Sequence, residues 1–244
     1  MSLFRDKIVW ITGATSGIGL AVAQMFARGG AGVVLMGRDT QRLQVAYDEV
    51  CTLGGHGMVA PLDVADRRAV EDMARRALES YGHVDIVVNS AGLNVFDRAM
   101  HQITGEGWAR VIDVNLSGAF NTSLAALPAM RARREGLIVN VSSVAGIAIH
   151  TMVGVAYTAS KWGMRGMSLE MAEEEWRNGI RITALHPGEV NTPILAKRPI
   201  PVSEEDKHNM LQAEDVAETV RFLALLPPRA AVPELTLVPT VRRF

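Results

Sequence analysis

A strand, a glycine-rich turn and a helix follow one another at the start of the chain. The apolar run 7–12 leads directly into Gly13, Gly17 and Gly19, after which apolar residues recur at helical spacing. Such a turn lets the backbone approach a phosphate, and the helix amino end adds N–H donors and a positive dipole. The alternative is a tight turn that needs glycine only for positive φ. No Gly-Lys-Ser/Thr follows, which disfavours a P-loop nucleotidase.

Strand and helix patterns alternate along the rest of the chain. The run 32–36 is continuously apolar, as in strands buried on both faces of a parallel sheet. We predict further strands at 58–62, 85–89, 137–141, 180–185 and 233–239, and helices at 40–53, 66–81, 105–134 and 157–178. The alternation predicts an α/β fold, a doubly wound parallel sheet of about seven strands with helices on both faces.

One domain accounts for residues 1–244, because no fixed-period repeat, low-complexity tract or linker interrupts the pattern. The exception to its regularity is residues 188–212, which contain Pro193, Pro199 and Pro201 and show little periodicity. A loop of this length in a compact domain is either a lid or a disordered insert. We expect a substrate lid here.

Charge and histidine placement exclude several classes of function. The 25 Lys and Arg residues nearly balance 26 Asp and Glu, for a formal net charge of −1. This gives no broad positive field, so we expect no nucleic-acid partner. The histidines show no metal-ligand spacing with Asp, Glu or Cys, and we expect no metal site.

Cysteine content and hydropathy indicate the compartment. Cys51 is the single cysteine and cannot form an intramolecular disulfide, which fits a reducing, cytoplasmic location. The amino-terminal apolar run is too short for a signal peptide. Residues 136–160 carry no charged side chain, but their polar groups and glycines argue against a membrane span. We expect a buried strand, an active-site loop and a helix start instead, with no membrane partner.

Tyr157 and Lys161 lie four residues apart at the start of a predicted helix, and Ser143 ends the preceding strand. Residues at this spacing share one helix face. A nearby ammonium stabilises a phenolate, which lowers the pKa of the phenol toward the range of a general acid or base. Ser143 can present its hydroxyl to the same substrate oxygen, and Ser142 is its adjacent rival. An isolated Tyr-x-x-x-Lys is more often a solvated helix face, but this one follows a dinucleotide-type turn.

These residues belong to an ordered set: Thr12-Gly13-x-x-x-Gly17-Ile18-Gly19, Asn89-Ser90-Ala91-Gly92, Asn115, Ser143, Tyr157-x-x-x-Lys161 and Pro187-Gly188-x-x-x-Thr192. The set resembles the short-form short-chain dehydrogenase/reductase family over nearly the whole chain. The resemblance implies a single Rossmann-type catalytic domain that binds a nicotinamide dinucleotide and interconverts a ketone or aldehyde with an alcohol.

The resemblance also implies roles for the catalytic residues. Tyr157 is the proton donor or acceptor. Lys161 holds the nicotinamide ribose and lowers the tyrosine pKa. Ser143 polarises the substrate carbonyl, and is preferred to Ser142 because the family usually uses the second serine of such a pair. Asn115 shapes the helix that anchors a water and proton relay to Lys161.

Cofactor contacts implied by the resemblance fall at strand ends and in the glycine turn: Gly13, Thr15, Ser16, Gly17, Ile18, Gly19, Asp63, Val64, Asn89, Ala91, Gly92, Tyr157, Lys161, Pro187, Gly188, Val190 and Thr192. Asp63 and Val64 correspond to the pair that contacts adenine. The helical regions 105–134 and 157–178 resemble the family's subunit contact, which implies a homodimer or homotetramer.

The end of the second strand favours NADP(H) over NAD(H). A carboxylate at its tip would accept the ribose 2′-hydroxyl of NAD, whereas an arginine binds a 2′-phosphate. Gly37 occupies the first position and Arg38 the next. The alternative is that Arg38 only pairs with Asp39 or covers the adenine.

Substrate contacts are expected beyond the carboxyl ends of the strands, from Leu93, Asn94, residues 145–153 and residue 189 onward. These segments are mostly apolar and suit a hydrophobic or mixed ketone or alcohol. Lys197 and Arg198 leave room for an anionic group. His150 is either a substrate contact or an ordinary loop histidine.

Two departures from the family pattern concern turn stability more than proton transfer: Ser90 stands where a second Asn is frequent, and His186 stands where Asn or Ser usually precedes Pro-Gly. The alternatives in function are a nucleotide-sensing protein without turnover and an NAD-dependent alcohol dehydrogenase. An epimerase or dehydratase on the same fold is disfavoured by chain length and glycine spacing.

Overall fold

The computed structural model describes residues 3–241 and confirms the predicted α/β fold. In the described residues, parallel strands form one sheet in the order β3-β2-β1-β4-β5-β6-β7. The strands are β1 Ile8–Thr12, β2 Gly32–Gly37, β3 His56–Pro61, β4 Ile86–Asn89, β5 Gly136–Val141, β6 Ile180–Pro187 and β7 Glu234–Leu237. The helices are α1 Gly17–Arg28, α2 Thr40–Thr52, α3 Arg67–Tyr81, α4 Gly105–Ile112, α5 Gly118–Arg133, α6 Val155–Glu175, α7 Glu204–Asn209 and α8 Ala213–Leu225.

β1 lies where the strand order of the sheet reverses, because β2 and β3 extend the sheet on one side of it and β4 to β7 extend it on the other. β1 therefore pairs with both β2 and β4. At such a switch point the loops leaving neighbouring strands diverge and open a crevice at the carboxyl ends. Thr12 and Asn89 are the last residues of β1 and β4 and are paired in register. The crevice therefore lies at the end of the sheet where the sequence places its candidate site.

The hydrophobic core consists of two layers, one on each face of the sheet. Ile11 and Leu35 belong to the layer that includes residues of α1, α2 and α8. Trp10 and Val34 belong to the layer that includes residues of α3 and α5. Successive residues of a strand point to opposite faces, so continuous apolar runs fill both layers, as predicted for a covered parallel sheet.

The predicted helix 105–134 is interrupted in the structure. α4 ends at Ile112, a π-helical turn spans Asp113–Ser117, and α5 begins at Gly118. A Cβ at Gly118 would lie 2.5 Å from Val64 Cγ2, so this glycine permits close packing of α5 against the residues after β3. An inserted π turn leaves the flanking apolar pattern nearly intact, which explains why sequence periodicity alone does not indicate it.

Residues 188–212 are more regular than the sequence predicts. A 3₁₀ helix spans Pro193–Lys197, and α7 follows a capping residue, Ser203, whose hydroxyl accepts a hydrogen bond from the Asp206 N–H at 3.1 Å. A bridge between Val190 and Leu211 joins the two ends of the segment. Proline at a helix start and a serine cap are favourable features that a periodicity search passes over in elements this short.

The uncharged stretch 136–160 divides into β5, 3₁₀ turns at Val144–Gly146 and Thr151–Val153, and the start of α6. This division confirms the predicted strand, loop and helix start. Throughout residues 3–241, every helix is too short or too polar to cross a membrane.

Gly19→Ala should destabilise the fold, because a Cβ there would lie 2.4 Å from the Gly13 carbonyl oxygen, a backbone atom that cannot move aside. We expect the free energy of unfolding in urea to fall by about 1–3 kcal/mol. Gly166→Ala is the matched control, since nothing lies within 4 Å of its Cβ position in α6, and it should stabilise the protein by about 0.5–1 kcal/mol. Equal effects of the two variants would contradict the packing argument.

Candidate active site

The glycine turn between β1 and α1 is a shallow cradle that side chains would fill. Gly13 and Gly17 adopt positive φ angles of 67° and 54°. A Cβ at Gly13 would lie 2.9 Å from Ala91 Cα, and one at Gly17 would lie 3.1 Å from Thr192 Cβ. The turn thus meets the loop after β4 on one side and the turn after β6 on the other.

Ser16 is the N-cap of α1, and within residues 3–241 its side chain makes no capping hydrogen bond. The N–H groups of the first turn, which include Gly17, Ile18 and Gly19, therefore face the cradle without a side-chain acceptor from the cap. Free N–H groups at a helix start, beside glycines that admit close approach, fit the pyrophosphate of a dinucleotide. The predicted cofactor residues of this turn are brought together.

The loop after β4 is fixed to the end of β1 by backbone hydrogen bonds. Thr12 Oγ1 accepts the N–H groups of Ser90 and Ala91 at 3.0 and 2.9 Å. These bonds involve the backbone at position 90, so serine there leaves the turn intact. The Asn89 side chain is buried and donates to Asn140 Oδ1 at 2.8 Å and to Ser123 Oγ at 3.0 Å. It is held by the protein rather than directed into the cradle.

Asn115 lies in the π turn, and its amide is bound on both sides. Its Oδ1 accepts the Leu93 N–H at 2.8 Å, and its Nδ2 donates to the Leu93 carbonyl at 3.0 Å and to Ser160 Oγ at 3.1 Å. Ser160 Oγ in turn donates to the Tyr157 carbonyl at 2.7 Å. A Cβ at Gly92 would lie 3.6 Å from Asn115 Oδ1 and 3.8 Å from Lys161 Nζ. Asn115 therefore joins the loop after β4 to the first turns of α6.

The three residues predicted to act on substrate meet at the amino end of α6. Lys161 Nζ lies 5.6 Å from the centre of the Tyr157 ring and donates to the Val141 carbonyl at 2.8 Å. Ser143 follows β5, and its hydroxyl interacts by a hydrogen bond with the Tyr157 phenol. The rival Ser142 donates its hydroxyl to the Lys161 carbonyl at 3.1 Å. Ser142 therefore anchors α6, and Ser143 is the serine beside the phenol.

Burial governs the titration of Tyr157 and Lys161. It raises the pKa of Tyr157, while the Ser143 hydrogen bond and the positive charge of Arg198 act in the lowering direction, and the pKa remains above its ordinary value. Burial lowers the pKa of Lys161 from 10.5 to about 8. The sequence predicts that the Lys161 ammonium lowers the phenol pKa. In the structure Ser143 and Arg198 act in the lowering direction on Tyr157, and Lys161 Nζ donates to the Val141 carbonyl. The lowering of the phenol pKa by Lys161 stays a prediction.

The ends of β2 and β3 form the other end of the crevice. Arg38 is exposed at the tip of β2, and Asp39 is the N-cap of α2, where its carboxylate accepts the Arg42 N–H at 3.0 Å. Asp39 thus has a capping role that explains its presence without an ion pair to Arg38. The Arg42 guanidinium donates to the Thr15 carbonyl at 3.4 Å. It therefore lies at the glycine turn, and sequence reasoning missed it although it is one helical turn beyond Arg38.

Asp63 and Val64 follow β3, as expected for the predicted adenine contacts. Burial acts to raise the pKa of Asp63, but hydrogen bonds from the Ala65 N–H and the Arg110 guanidinium, with the charges of Arg110 and Arg38, hold it below the ordinary value. The Arg110 contact is 2.7 Å. The Val64 carbonyl accepts from Asn121 at 2.9 Å. Asp63 is therefore an ionised acceptor at neutral pH.

The turn after β6 closes the crevice. The Gly188 N–H donates to the Leu237 carbonyl at 2.7 Å, which ties Pro187 and Gly188 to β7. Val190 is buried beside Leu211, and Thr192 packs at Gly17. The predicted residues of this turn therefore lie against the glycine cradle.

His186, the family departure before Pro187, is fully buried. Its Nδ1 lies 3.1 Å from the Ser143 carbonyl oxygen, and its Nε2 lies 2.9 Å from Glu234 Oε1. Burial is the main cause that lowers its pKa. Sequence reasoning gave this residue only a local effect. The available signal was a histidine directly after the apolar residues Ala184 and Leu185 of a predicted strand. His150, by contrast, is exposed.

The match to a family model decides the classification. A model described as short chain dehydrogenase matches residues 7–201. The chain belongs to the short-chain dehydrogenase family. It is similar to an uncharacterized oxidoreductase of Staphylococcus epidermidis, with 31% identity over 98% of this chain and 100% of that protein.

Solved structures of this family cover nearly the whole chain. One is a metagenomic short-chain oxidoreductase in complex with NADP, 30% identical, with a TM-score of 0.85 and coverage of 99% of this chain and 100% of the other. Another is serine dehydrogenase from Escherichia coli, 32% identical, with a TM-score of 0.83 and coverage of 97% and 100%. This short-chain dehydrogenase is therefore an oxidoreductase that uses NAD(P).

Burial of Lys161 should make stability depend on alkaline pH. Its folded-state pKa of about 8 lies below the ordinary 10.5, so between these values the unfolded chain binds more protons and the lysine's contribution to stability rises with pH. Lys161→Met should therefore stabilise the cofactor-free protein by about 2 kcal/mol at pH 7, with the gain vanishing near pH 10. Urea unfolding across this range measures it. The surface variant Lys207→Met should show no such trend, and a gain for Lys161→Met that stays constant with pH would contradict the prediction.

Proposed function

We propose that this short-chain dehydrogenase is an NADP(H)-dependent oxidoreductase that interconverts a ketone or aldehyde with an alcohol, with Tyr157 as general acid and base. The observation that carries the proposal is the meeting of Ser143, Tyr157 and Lys161 beside the glycine cradle. The Tyr157 side chain is partly buried and is hydrogen-bonded to Ser143, and the Lys161 amine is buried one helical turn away. Such groups fit proton transfer to one substrate oxygen.

The residues of the crevice fit a nicotinamide dinucleotide, because the positive-φ glycines and the free first turn of α1 leave room and donors for a pyrophosphate. Asp63 and Val64 would contact the adenine, and Lys161 and the turn 187–192 would hold the nicotinamide end. When bound, this cofactor supplies or accepts a hydride at the substrate carbon.

The protein residues handle the proton and the charge on oxygen. Tyr157 keeps its proton at neutral pH because burial raises its pKa, so it is ready to protonate an alkoxide during carbonyl reduction. Ser143 donates its hydroxyl to the same oxygen and stabilises the developing charge. In alcohol oxidation the phenol must first lose its proton, and the positive charge of Arg198 favours that ionisation. Asn115 positions α6 rather than the substrate.

Tyr157→Phe should reduce carbonyl turnover by at least about 100-fold, since it removes the proton donor, while NADPH binding is retained. Turnover is measured with a panel of ketones and alcohols, serine among them, as a fall in reduced-nicotinamide absorbance for each ketone with NADPH and a rise for each alcohol with NADP⁺. Tyr47→Phe is the control, because Tyr47 lies on α2 and its hydroxyl donates to the Gly57 carbonyl of β3 at 3.2 Å.

The competing function is a nucleotide-sensing protein without turnover. It predicts cofactor binding by the wild-type protein with no reaction on any member of the panel. Unchanged turnover in Tyr157→Phe would instead leave oxidoreduction intact and remove the proposed acid.

The preference for NADP(H) rests on two guanidinium groups near the β2 tip. Arg38 is exposed at the end of β2, and Arg42 reaches the Thr15 carbonyl of the glycine turn. Asp39 is engaged as a helix cap and leaves the arginines available for a 2′-phosphate. The NADP complex of the metagenomic relative supports the same cofactor. An NAD-dependent alcohol dehydrogenase is the alternative.

Arg38→Ala should weaken NADPH binding by about tenfold or more and NADH binding by less than about twofold, because only NADPH carries the phosphate that forms charge-assisted hydrogen bonds. Fluorescence titration with each cofactor measures both affinities. Arg76→Ala, an exposed arginine on α3, is the matched control. Equal losses for the two cofactors would favour the NAD-dependent alternative.

We further propose a homodimer or homotetramer assembled through the surface of α4, α5 and α6. Trp108, Phe120 and Trp162 lie on these helices with 40%, 45% and 40% of their area exposed, an apolar content that favours association. We propose that residues 188–212 form a lid over the substrate. The single, exposed Cys51 fits action in the cytoplasm.

A further inference from the structure

Arg98 is a buried cation with carbonyl partners. It lies on the loop after β4 and is 7% exposed. Its Nε lies 3.3 Å from the Phe96 carbonyl, and its Nη2 donates to the Lys197 carbonyl. None of the ion pairs found among residues 3–241 includes Arg98. A buried guanidinium is costly unless an anion or several acceptors compensate for lost water, and here the compensation is limited to carbonyl oxygens.

Arg198 is the next residue after the carbonyl that Arg98 binds. Its side chain is 19% exposed, and its Nη2 lies 2.8 Å from Glu189 Oε1. A guanidinium has five N–H donors in a planar fork, so the Glu189 contact orients it and leaves other donors unused by that carboxylate. Arg98 and Arg198 form an arginine pair in which one carboxylate, Glu189, contacts Arg198 alone, so the pair and Glu189 together carry a net positive charge.

The arginine pair lies at the substrate end of the crevice, away from Arg38 and Arg42. Gly154 is the N-cap of α6, which carries Tyr157, and a Cβ there would lie 2.4 Å from the Arg98 carbonyl oxygen. Glu189 directly follows the Pro187-Gly188 turn. Consistent with this placement, the charge of Arg198 acts to lower the pKa of both Tyr157 and Arg98.

Neighbouring residues make the rest of this region apolar or neutral. Asn94 Nδ2 donates to the Val153 carbonyl at 2.9 Å, which closes the wall between the two loops. Val153 and Leu93 are partly buried. A cationic group placed in such surroundings, where water is restricted, binds a carboxylate more strongly than it would on the open surface.

We infer that Arg198, supported by Arg98, binds a carboxylate of the substrate, so that the substrates of this enzyme are short oxo acids and the corresponding hydroxy acids. The inference rests on the proposed oxidoreductase function and adds the class of substrate. The substrate carboxylate supplies a second anion beside Glu189 for the two guanidinium groups, and it fixes the reacting carbon beside Tyr157 and Ser143.

The test compares each acid with its neutral ester. Initial rates are measured with NADP⁺ for 3-hydroxybutanoate, 2-hydroxybutanoate and their methyl esters, with the wild-type protein and Arg198→Gln. We expect the wild type to prefer the acid of at least one pair, and Arg198→Gln to lower the acid-to-ester ratio of kcat/KM by about tenfold or more, the effect of losing one charge-assisted hydrogen bond. Arg198→Lys should restore part of the ratio. Lys197→Gln, which removes the same charge from the adjacent exposed residue, should change it by less than about twofold.

Three results would overturn the inference: a wild-type preference for both esters, a ratio that Arg198→Gln leaves unchanged, or an equal change in Lys197→Gln. Loss of NADP⁺ affinity in Arg198→Gln equal to its loss of acid turnover would also overturn it, since the arginine would then serve the cofactor.

Failure of the proposed function has a different signature, which is no turnover of acids or esters by the wild type. Calorimetric titration of the NADP⁺-loaded protein with 3-hydroxybutanoate then decides the inference by itself. Binding that Arg198→Gln weakens about tenfold supports the carboxylate site, whereas absent binding or binding unaffected by the substitution rejects it.

Discussion

The buried amide of Asn115 is the contact on which the geometry of the site depends. Its oxygen and nitrogen both bind the backbone of Leu93, and the nitrogen also reaches Ser160, whose hydroxyl binds the Tyr157 carbonyl. One side chain therefore sets the distance between the loop after β4 and the first turn of α6. The π turn around Asn115 adds a residue to the helix and directs the amide inward.

Burial and nearby charges act differently on the pKa values of Tyr157 and Lys161. Desolvation favours the neutral phenol and the neutral amine, and it moves their pKa values apart, that of Tyr157 upward from 10.0 and that of Lys161 down to about 8. At neutral pH the phenol therefore keeps its proton, and Lys161 is the group of the two that loses its proton first as the pH rises. Ser143 and Arg198 then oppose desolvation at Tyr157 only. The positive charge of Arg198 thus favours ionisation of the phenol, and in the carboxylate site that we propose the same residue would bind the substrate.

Much of the fold can be predicted from local sequence patterns, namely the apolar runs and the glycines that follow them. Continuous apolar runs predict covered strands, and glycines after the first run predict the cradle, because both depend on residues close in sequence. The boundaries move by a few residues, as at β6, which extends to Pro187. The π turn was not predictable from periodicity. Arg42 and Arg98 were missed and His186 was given only a local effect, because the importance of these residues depends on what they contact: a carbonyl of the glycine turn, the Lys197 carbonyl and the backbone of Ser143. Sequence spacing carries no information about such contacts.

His186 shows how a departure from a family pattern can strengthen a site. Asn or Ser at this position would be shorter, whereas the imidazole lies between the Ser143 carbonyl and Glu234 on the edge strand β7, and in its neutral form it can donate to only one of these two acceptors. Glu234 also accepts from Arg165 of α6 at 3.1 Å. β7 is thereby connected through one carboxylate to both the helix that carries Tyr157 and the residue beneath Ser143. Because the imidazole is fully buried, it has no room to rotate away from the Ser143 carbonyl. A substitution that looks local in the sequence thus holds the serine that faces the phenol, and it draws the last strand of the sheet into the catalytic geometry.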